Sequence, residues 1–347
     1  MSKRRPIVST LRRRRTTSLS VLAIGSATAL LAACASGTGS ATTTSSSSSS
    51  SSSSTSAASG GALPKSLVFS PLSLAPPALQ GLSKGVQGYA GSKGWQVVVQ
   101  DPNFNPTKQT QDLSAVIDSG RVGAAWVLAI APKGFGDMLK KAQSKGVPIL
   151  VNGKPDEYGL SGPQPGITFD YIDYSQAGTA IGDQLGKCVN SKLGGKANVL
   201  FSTSAAGTAG KQEMEAAAKK ALAAAAPQAK IVDEQIIVDR TKGVTTIASS
   251  LQGHPNLNAI MSTGDEGTLA AITAFQSAGK TLGCNVDFGG NDEVLGLVKS
   301  GKIFASVALQ FQADMAQSFD TLVKMQADPK AVGQVLVVPQ KIVTQNG

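Results

Sequence analysis

From Lys65 to the C-terminus, short β-branched runs alternate with longer stretches of helical periodicity, and this alternation limits the possible folds more than any other feature. It predicts strands at 66–70, 95–100, 124–130, 148–152, 166–170, 197–203, 230–238, 259–263, 286–289, 303–310 and 335–343. It predicts helices at 79–92, 107–119, 134–144, 175–189, 211–226, 243–251, 267–278, 293–300 and 313–326. The strands are nearly continuous apolar runs, which is typical of parallel strands covered by helices on both faces.

The order of these elements predicts an α/β fold with parallel sheets and right-handed crossovers. A single barrel built from all the strands is the competing architecture. The pattern pauses at 158–164 and restarts with its own helix after Asp173, which favours two successive doubly wound domains. Such domains bind ligands at the carboxyl ends of their strands, in the crevice between them.

Residues 1–33 have the features of an export signal. Seven Lys and Arg residues precede an apolar run that is shorter than the roughly 20 residues of a membrane-spanning helix. The run ends in the sequence LAAC at 31–34, which resembles the bacterial lipoprotein signal, in which the cysteine receives a lipid. We therefore expect lipidation of Cys34, with either Sec or twin-arginine export.

Residues 34–64 are predicted to form a flexible tether, because they contain an uninterrupted serine run at 45–54 and almost no large apolar side chains. About 27 such residues span roughly 28 Å on average. The tether would keep the following domains close to a membrane.

The formal net charge of +10 overstates the charge of the exported chain. Seven positive charges precede Cys34, which leaves 10 − 7 = +3. This balance does not predict a surface for nucleic acid.

Two cysteines, Cys188 and Cys284, remain after Cys34. In an oxidising compartment they could form a disulfide or stay as two separate buried thiols. The one histidine, His254, is not spaced from them as a metal ligand would be, so no metal site is predicted.

The sequence predicts no catalytic residues and no cofactor. It contains no G-x-S-x-G turn and no G-x-G-x-x-G loop, and His254 is the only histidine that could act as a base. The segment GTAGKQ at 207–212 does not match a phosphate loop, because Gln212 stands where Ser or Thr is needed.

Several stretches together resemble the periplasmic solute-binding proteins of the ribose-binding type. These are KGVPIL at 145–150, DYSQAG at 173–178, AIMSTGDE at 259–266, GGND at 289–292 and VKSGKIFASV at 298–307. The resemblance extends from about Lys65 to Gly347.

The resemblance implies two lobes joined by three hinge crossings. The N-terminal lobe would comprise 65–172 and 311–340, and the C-terminal lobe 173–310 and 341–347. The crossings would lie near 171–174, 310–312 and 340–342. A ligand that contacts both lobes would favour their closure.

The resemblance also implies a set of ligand-binding residues. They are Ser73, Leu74, Asn152, Lys154, Lys211, Asp265, Asn291 and Gln310. The chain departs from the family in the loop at 71–77, which is two residues longer and lacks the aromatic side chains that stack on a sugar. It also has Asn152 to Lys154 in place of an Asp-Arg pair, and no arginine near Lys211.

Some of these residues have purely structural alternatives. Asp265 and Asn291 could cap the helices that follow them, and Asp173 is expected to cap a helix. Lys154 could be an ordinary solvated lysine. Trp126 is expected in the core.

This resemblance, together with that of residues 31–34 to the lipoprotein signal, implies an extracytoplasmic, lipid-anchored binding protein, monomeric and not an enzyme. It would capture a small polar ligand, a sugar or sugar-like compound, for the permease of an ABC transporter. The alternative is a sensory protein that presents its ligand to a receptor kinase. A lactose-repressor-like regulator, which shares the fold, is excluded because a signal and tether replace the DNA-binding helices.

Overall fold

The computed structural model describes residues 63–328 and 330–347. The predicted export signal, the lipidation site Cys34 and nearly all of the predicted tether lie outside these residues. Among the helices of the described part, none combines the length and hydropathy needed to cross a membrane.

The observed elements follow the predicted order closely. The strands are β1 (Ser66–Ser70), β2 (Gln96–Val99), β3 (Ala124–Val127), β4 (Ile149–Asn152), β5 (Ile167–Tyr171), β6 (Lys196–Thr203), β7 (Gln228–Ile236), β8 (Ala259–Ser262), β9 (Cys284–Gly289), β10 (Ala305–Leu309), β11 (Val335–Val337) and β12 (Gln340–Thr344). The helices are α1 (Pro77–Ser92), α2 (Pro106–Asp118), α3 (Gly136–Ser144), α4 (Tyr174–Lys192), α5 (Lys211–Ala225), α6 (Arg240–Gly253), α7 (Asp265–Ser277), α8 (Asp292–Lys299) and α9 (Phe311–Ala327).

The strands form two sheets, each the centre of one lobe. The N-lobe sheet has the order β11-β5-β4-β3-β1-β2, and the C-lobe sheet the order β12-β10-β9-β8-β6-β7. All neighbouring strands are parallel, except that β12 runs antiparallel to β10. The prediction of two parallel-sheet α/β domains is confirmed, and the single barrel is excluded.

The chain passes between the lobes three times, and we call these three short segments the hinge. They are Ile172–Asp173, between β5 and α4; Gln310, between β10 and α9; and Val338–Pro339, between β11 and β12. Each segment leaves the carboxyl end of a strand and enters the other lobe next to the carboxyl end of another. The carboxyl edges of the two sheets therefore face each other.

Hydrogen bonds tie the three hinge segments together. The amide of Val338 donates to the carbonyl of Tyr171 at 2.9 Å, and the amide of Gln310 donates to the carbonyl of Pro339 at 2.8 Å. Gln340 Nε2 donates to the carbonyl of Asp173 at 3.0 Å. The hinge is thus one hydrogen-bonded unit.

The prediction of one strand at 335–343, with a third crossing at 340–342, is wrong. The segment consists of β11, which pairs with β5, and β12, which begins at Gln340 opposite Leu309 of the other sheet. The crossing lies at Val338–Pro339. The local pattern misses this break because both halves are rich in apolar and β-branched residues, and only their pairing partners differ.

Large apolar side chains fill the space between each sheet and its helices. Trp126 is buried, as predicted, and packs edge-on against Phe69 with ring centroids 5.8 Å apart. In the C-lobe, a disulfide joins Cys188 of α4 to Cys284 of β9 inside the apolar core. This bond fixes the helix that follows the first crossing to a central strand.

Three glycines allow α4 and α5 to approach closely. A Cβ added at Gly178 would lie 2.1 Å from the carbonyl oxygen of Met214, and one added at Gly182 would lie 2.4 Å from that of Ala218. One turn further on, a Cβ added at Gly186 would lie 2.4 Å from the Cβ of Ala225. Because backbone oxygens limit the space at Gly178 and Gly182, a side chain at either position would force the two helices apart.

We expect the substitution Gly182→Ala to lower the free energy of unfolding by about 1–3 kcal/mol, because overpacking outweighs the gain in helix propensity. Gly88→Ala is the matched control, since a Cβ at this position in α1 meets nothing within 4 Å. It should raise stability by roughly 0.5–1 kcal/mol. Urea denaturation measures the free energy of unfolding of both variants. If Gly182→Ala left this free energy unchanged, the close approach of α4 and α5 would be contradicted.

Candidate ligand-binding site

All eight predicted ligand-binding residues lie in the hinge or at the carboxyl ends of strands. The N-lobe contributes Ser73 and Leu74 after β1, and Asn152 and Lys154 at and after β4. The C-lobe contributes Lys211 after β6, Asp265 after β8 and Asn291 after β9, and Gln310 is a hinge residue. The topology thus places them on the two facing edges.

The loop after β1 is held by Asp101, a residue that the sequence analysis did not select. Asp101 Oδ1 accepts hydrogen bonds from the amides of Leu74 at 3.1 Å and Asn103 at 2.9 Å. Ser73 is buried, and its Oγ accepts a hydrogen bond from the amide of Ala75 at 3.1 Å. These hydrogen bonds order the loop after β1. The sequence signal that could have identified Asp101 is the Asp-Pro pair at 101–102, which directly follows a strand.

An exposed aromatic ring stands beside this loop. Phe104, in the loop between β2 and α2, has a φ of 57° and is 51% exposed. Its amide donates to the carbonyl of Leu72 at 2.8 Å, which fixes it to the loop after β1. The loop after β1 lacks an aromatic residue, but the neighbouring loop supplies one at the same edge.

Asn152 connects the ends of two neighbouring strands. Its Oδ1 accepts a hydrogen bond from the amide of Ala129 at 2.6 Å, and Tyr158 Oη donates to its carbonyl at 2.6 Å. Burial raises the pKa of Tyr158, so this hydroxyl stays protonated and remains a donor. The Lys154 ammonium lies 4.7 Å from the centroid of the Tyr171 ring, at the end of β5.

Gln109 has a similar role on the other side of β3, and the sequence analysis missed it too. This buried α2 side chain donates from Nε2 to Ser70 Oγ at 3.1 Å and to the carbonyl of Leu128 at 2.9 Å. Its Oε1 accepts a hydrogen bond from the amide of Ile130 at 3.0 Å. Gln109 therefore fixes the ends of β1 and β3, where the strand order reverses.

Asp265 organises the edge of the C-lobe. Its carboxylate accepts hydrogen bonds from the amides of Gly290 at 2.9 Å and Asn291 at 3.2 Å, in the turn after β9. Burial raises the pKa of Asp265, and these two hydrogen bonds oppose the rise. Gly289 adopts a φ of 139°, and a Cβ there would lie 2.7 Å from the carboxylate.

The capping alternatives are settled differently for Asp265, Asn291 and Asp173. Asn291 caps α8, since its Oδ1 accepts a hydrogen bond from the amide of Val294 at 2.9 Å. Asp265 does not cap α7, whose N-cap is Gly264. Asp173 caps α4 through the amide of Gln176, as predicted.

The charge of Lys211 is compensated within the protein. Its ammonium forms an ion pair with Glu215 and donates to the carbonyl of Ser204 at 2.7 Å. Gln310 Nε2 donates to the carbonyl of Ala308 at 3.2 Å. Among the eight candidate residues, the charged groups that make no ion pair in the described part of the chain are the carboxylate of Asp265 and the exposed ammonium of Lys154.

Two surface cavities lie elsewhere. One of about 250 Å³ is lined by residues that include Gln143, Pro148 and Pro165, and one of about 530 Å³ by residues that include Lys196 and Gln228. Both adjoin the amino ends of strands, at the edge opposite the candidate site. Within residues 63–328 and 330–347, no group of three or more His, Cys, Asp or Glu side chains could hold a metal ion.

Two α/β lobes with facing carboxyl edges and three short crossings make up the fold of the type I periplasmic binding proteins. The sequence profile of the family described as "Periplasmic binding protein domain" matches residues 68–330, and the chain belongs to this family. It is accordingly a binding protein and not an enzyme, of a family that works outside the cytoplasm.

Named relatives and solved structures agree with this family. The ribose import binding protein of Bacillus subtilis is 27% identical over 239 residues, which cover 69% of this chain and 74% of the relative. The xylitol-binding protein of Mycolicibacterium smegmatis is 24% identical over 229 residues, which cover 65% of this chain and 62% of the relative. A solute-binding protein from Actinobacillus succinogenes with bound D-allose superposes with a TM-score of 0.68 at 20% identity, over 82% of this chain and 98% of the other.

Proposed function

We propose that this protein is an extracytoplasmic, lipid-anchored, monomeric binding protein that captures a sugar or sugar-like polyol between its lobes and delivers it to an ABC importer. The observation that carries this proposal is the pair of facing carboxyl edges, joined by a hydrogen-bonded hinge. A ligand that contacts both edges shifts the lobes towards the closed state by its differential affinity for that state.

The chemistry of the edges supports a neutral, hydroxyl-rich ligand. Lys211 is paired with Glu215, so its charge is already balanced within the protein, and the ammonium of Lys154 lies 4.7 Å from the centroid of the Tyr171 ring. Amide groups can donate hydrogen bonds to hydroxyl groups and accept them, and a carboxylate can accept them. The relatives are named for ribose and xylitol, and the solved neighbour holds D-allose, which is the same class of compound.

We propose that Ser73, Leu74, Asn152, Lys154, Lys211, Asp265, Asn291 and Gln310 line the bound ligand. Phe104 joins them as the aromatic surface that the loop after β1 lacks. Cys34 would carry the lipid, and the serine-rich segment would let the lobes reach a permease while staying close to the membrane.

A thermal-shift screen of the exported protein with D-ribose, D-allose, D-arabinose and xylitol tests this function. A true ligand at 100 times its Kd should add about 2.7 kcal/mol to the free energy of unfolding. Gln310→Ala should then weaken binding roughly 10- to 100-fold, because losing one hydrogen bond in a closed site costs about 1–3 kcal/mol. Calorimetric titration measures the affinity.

Gln312→Ala is the matched control, since Gln312 is exposed two residues further along α9. It should bind as the unchanged protein does. Equal affinity of Gln310→Ala and the unchanged protein would contradict the proposed site. Binding of a charged solute in place of sugars would contradict the proposed ligand class.

A further inference from the structure

Two buried carboxyl groups lie against the hinge on its N-lobe side. Asp170 is in β5 and Asp314 in the first turn of α9, and they are 8% and 6% exposed. Ser318 Oγ donates to Asp170 Oδ2 at 3.4 Å. Asp170 Oδ1 is buried without a hydrogen-bond partner among the described residues.

Hydrogen bonds connect this pair to the hinge crossings. Asp170 stands two positions before the first crossing. The amide of Asp314 donates to the carbonyl of Gln310, which is the second crossing, at 2.9 Å. Gln317 Nε2 donates to Asp314 Oδ1 at 2.8 Å. It also donates to the carbonyl of Val337, the residue just before the third crossing, at 2.9 Å. A change at the pair therefore reaches all three crossings.

The surroundings of the pair bring no compensating cation. On the two neighbouring strands, the residues opposite Asp170 are Asn152 of β4 and Leu336 of β11. Lys154 directs its ammonium to the ring of Tyr171, and Lys84, on the neighbouring α1, is exposed. In the described part of the chain, no ion pair includes Asp170 or Asp314.

Two adjacent carboxylates that lack a cation and are removed from water cannot both ionise without a large cost. Burial and the neighbouring Asp314 raise the pKa of Asp170 to about 8, and burial raises the pKa of Asp314. At neutral pH the Asp170 carboxyl therefore keeps a proton, which it can donate to Asp314.

We propose that Asp170 and Asp314 share one proton that holds the start of α9 on the end of β5, and that loss of this proton loosens the hinge and lowers ligand affinity. With both groups ionised, their repulsion would push α9 away from β5 and disturb the contacts of Gln310 and Gln317. The effect on affinity rests on the proposed function, since affinity follows the hinge only if the lobes close on a ligand.

Small-angle X-ray scattering of the ligand-free exported protein between pH 5.5 and pH 9.5 tests the shared proton directly. The radius of gyration should change with a midpoint near pH 8. Asp170→Asn should keep the low-pH value throughout, because its amide still donates to Asp314 and cannot ionise. Circular dichroism at each pH verifies that the protein stays folded.

Two control variants separate the hinge from general effects of charge. Asp287→Asn removes another buried carboxyl, in the C-lobe and away from the hinge, and Asp320→Asn removes an exposed one on α9 itself. Both should keep the pH profile of the unchanged protein. A radius of gyration independent of pH, or an Asp170→Asn variant that keeps the midpoint near pH 8, would overturn the proposal.

The effect on affinity is measured separately, with D-allose and xylitol as probes. The Kd should rise several-fold from pH 6.5 to pH 9 in the unchanged protein and stay constant in Asp170→Asn. If scattering responds to pH but neither probe nor any other sugar binds, the proposed function fails and the shared proton stands. If sugars bind while scattering is independent of pH, the shared proton fails and the proposed function stands.

Discussion

Replacing both Cys188 and Cys284 by alanine is expected to lower the free energy of unfolding of the C-lobe by about 4–5 kcal/mol, because the bond closes a loop of nearly 100 residues. The unfolded chain gains the conformational freedom that the cross-link removes. For a protein of this size the loss corresponds to a fall in Tm of roughly 8–10 °C. Differential scanning calorimetry of the oxidised protein and the double variant measures it.

A reducing agent provides the control for this experiment. It should lower the Tm of the unchanged protein towards that of the double variant and leave the Tm of the variant where it is. Both sulfur atoms lie in the apolar core, so the alanine side chains add a small cavity term. Equal Tm values for the oxidised protein and the double variant would show that the two cysteines are not bonded.

Asp287→Asn is expected to stabilise the protein at alkaline pH and to have little effect at acidic pH. Asp287 of β9 is completely buried, and both of its carboxyl oxygens lack hydrogen-bond partners among the described residues. Ser306 of β10 stands directly opposite it, and Ser202 of β6 stands opposite Ser262 of β8. The carboxyl thus lies in a row of buried polar side chains, with no cation.

The direction of the pH effect follows from the pKa. Burial raises the pKa of Asp287 to about 8 from an ordinary value of 3.8. Between about pH 4 and pH 8 the folded protein therefore holds a proton that the unfolded chain has lost, and the free energy of unfolding falls as the pH rises. The limit is roughly 1.4 kcal/mol for each pH unit. The amide that Asp287→Asn introduces does not titrate, so the variant loses this slope.

Urea denaturation at pH 4.5, 6 and 8 measures the difference. The advantage of Asp287→Asn should grow from near zero to on the order of several kcal/mol at pH 8. Asp320→Asn, which changes an exposed carboxyl, should follow the unchanged protein at all three values. A constant difference between Asp287→Asn and the unchanged protein would mean that Asp287 is already ionised at pH 4.5.

Helix caps and strand ends were the parts of the candidate site that could be predicted from the sequence. Asp173 caps α4 as predicted, and Asn291 caps α8, which was the structural alternative given for it. Both features depend on neighbours three residues away, which local patterns contain. The eight predicted ligand-binding residues came from the family resemblance, and their contact with a ligand stays a prediction.

The supporting residues of the site were harder to recognise. Gln109 forms hydrogen bonds with residues 19 to 39 positions away in the sequence. Asp101 forms hydrogen bonds with residues 2 and 27 positions away. Asp170 and Asp287 lie within strand patterns, where each is the one acidic residue of its strand. Burial and the distance to a second carboxyl group depend on the packing of segments far apart in the chain.

The sequence by itself determined the order of strands and helices, the parallel α/β class and the restart of the pattern after Asp173, because periodicity and turn residues act over a few positions. Only the tertiary structure decided that 335–344 divides between two sheets, that Cys188 meets Cys284, and that Asp170 faces Asp314 at the hinge. Each of these depends on which distant segments pack together, and burial then determines the charge that a carboxyl group can carry.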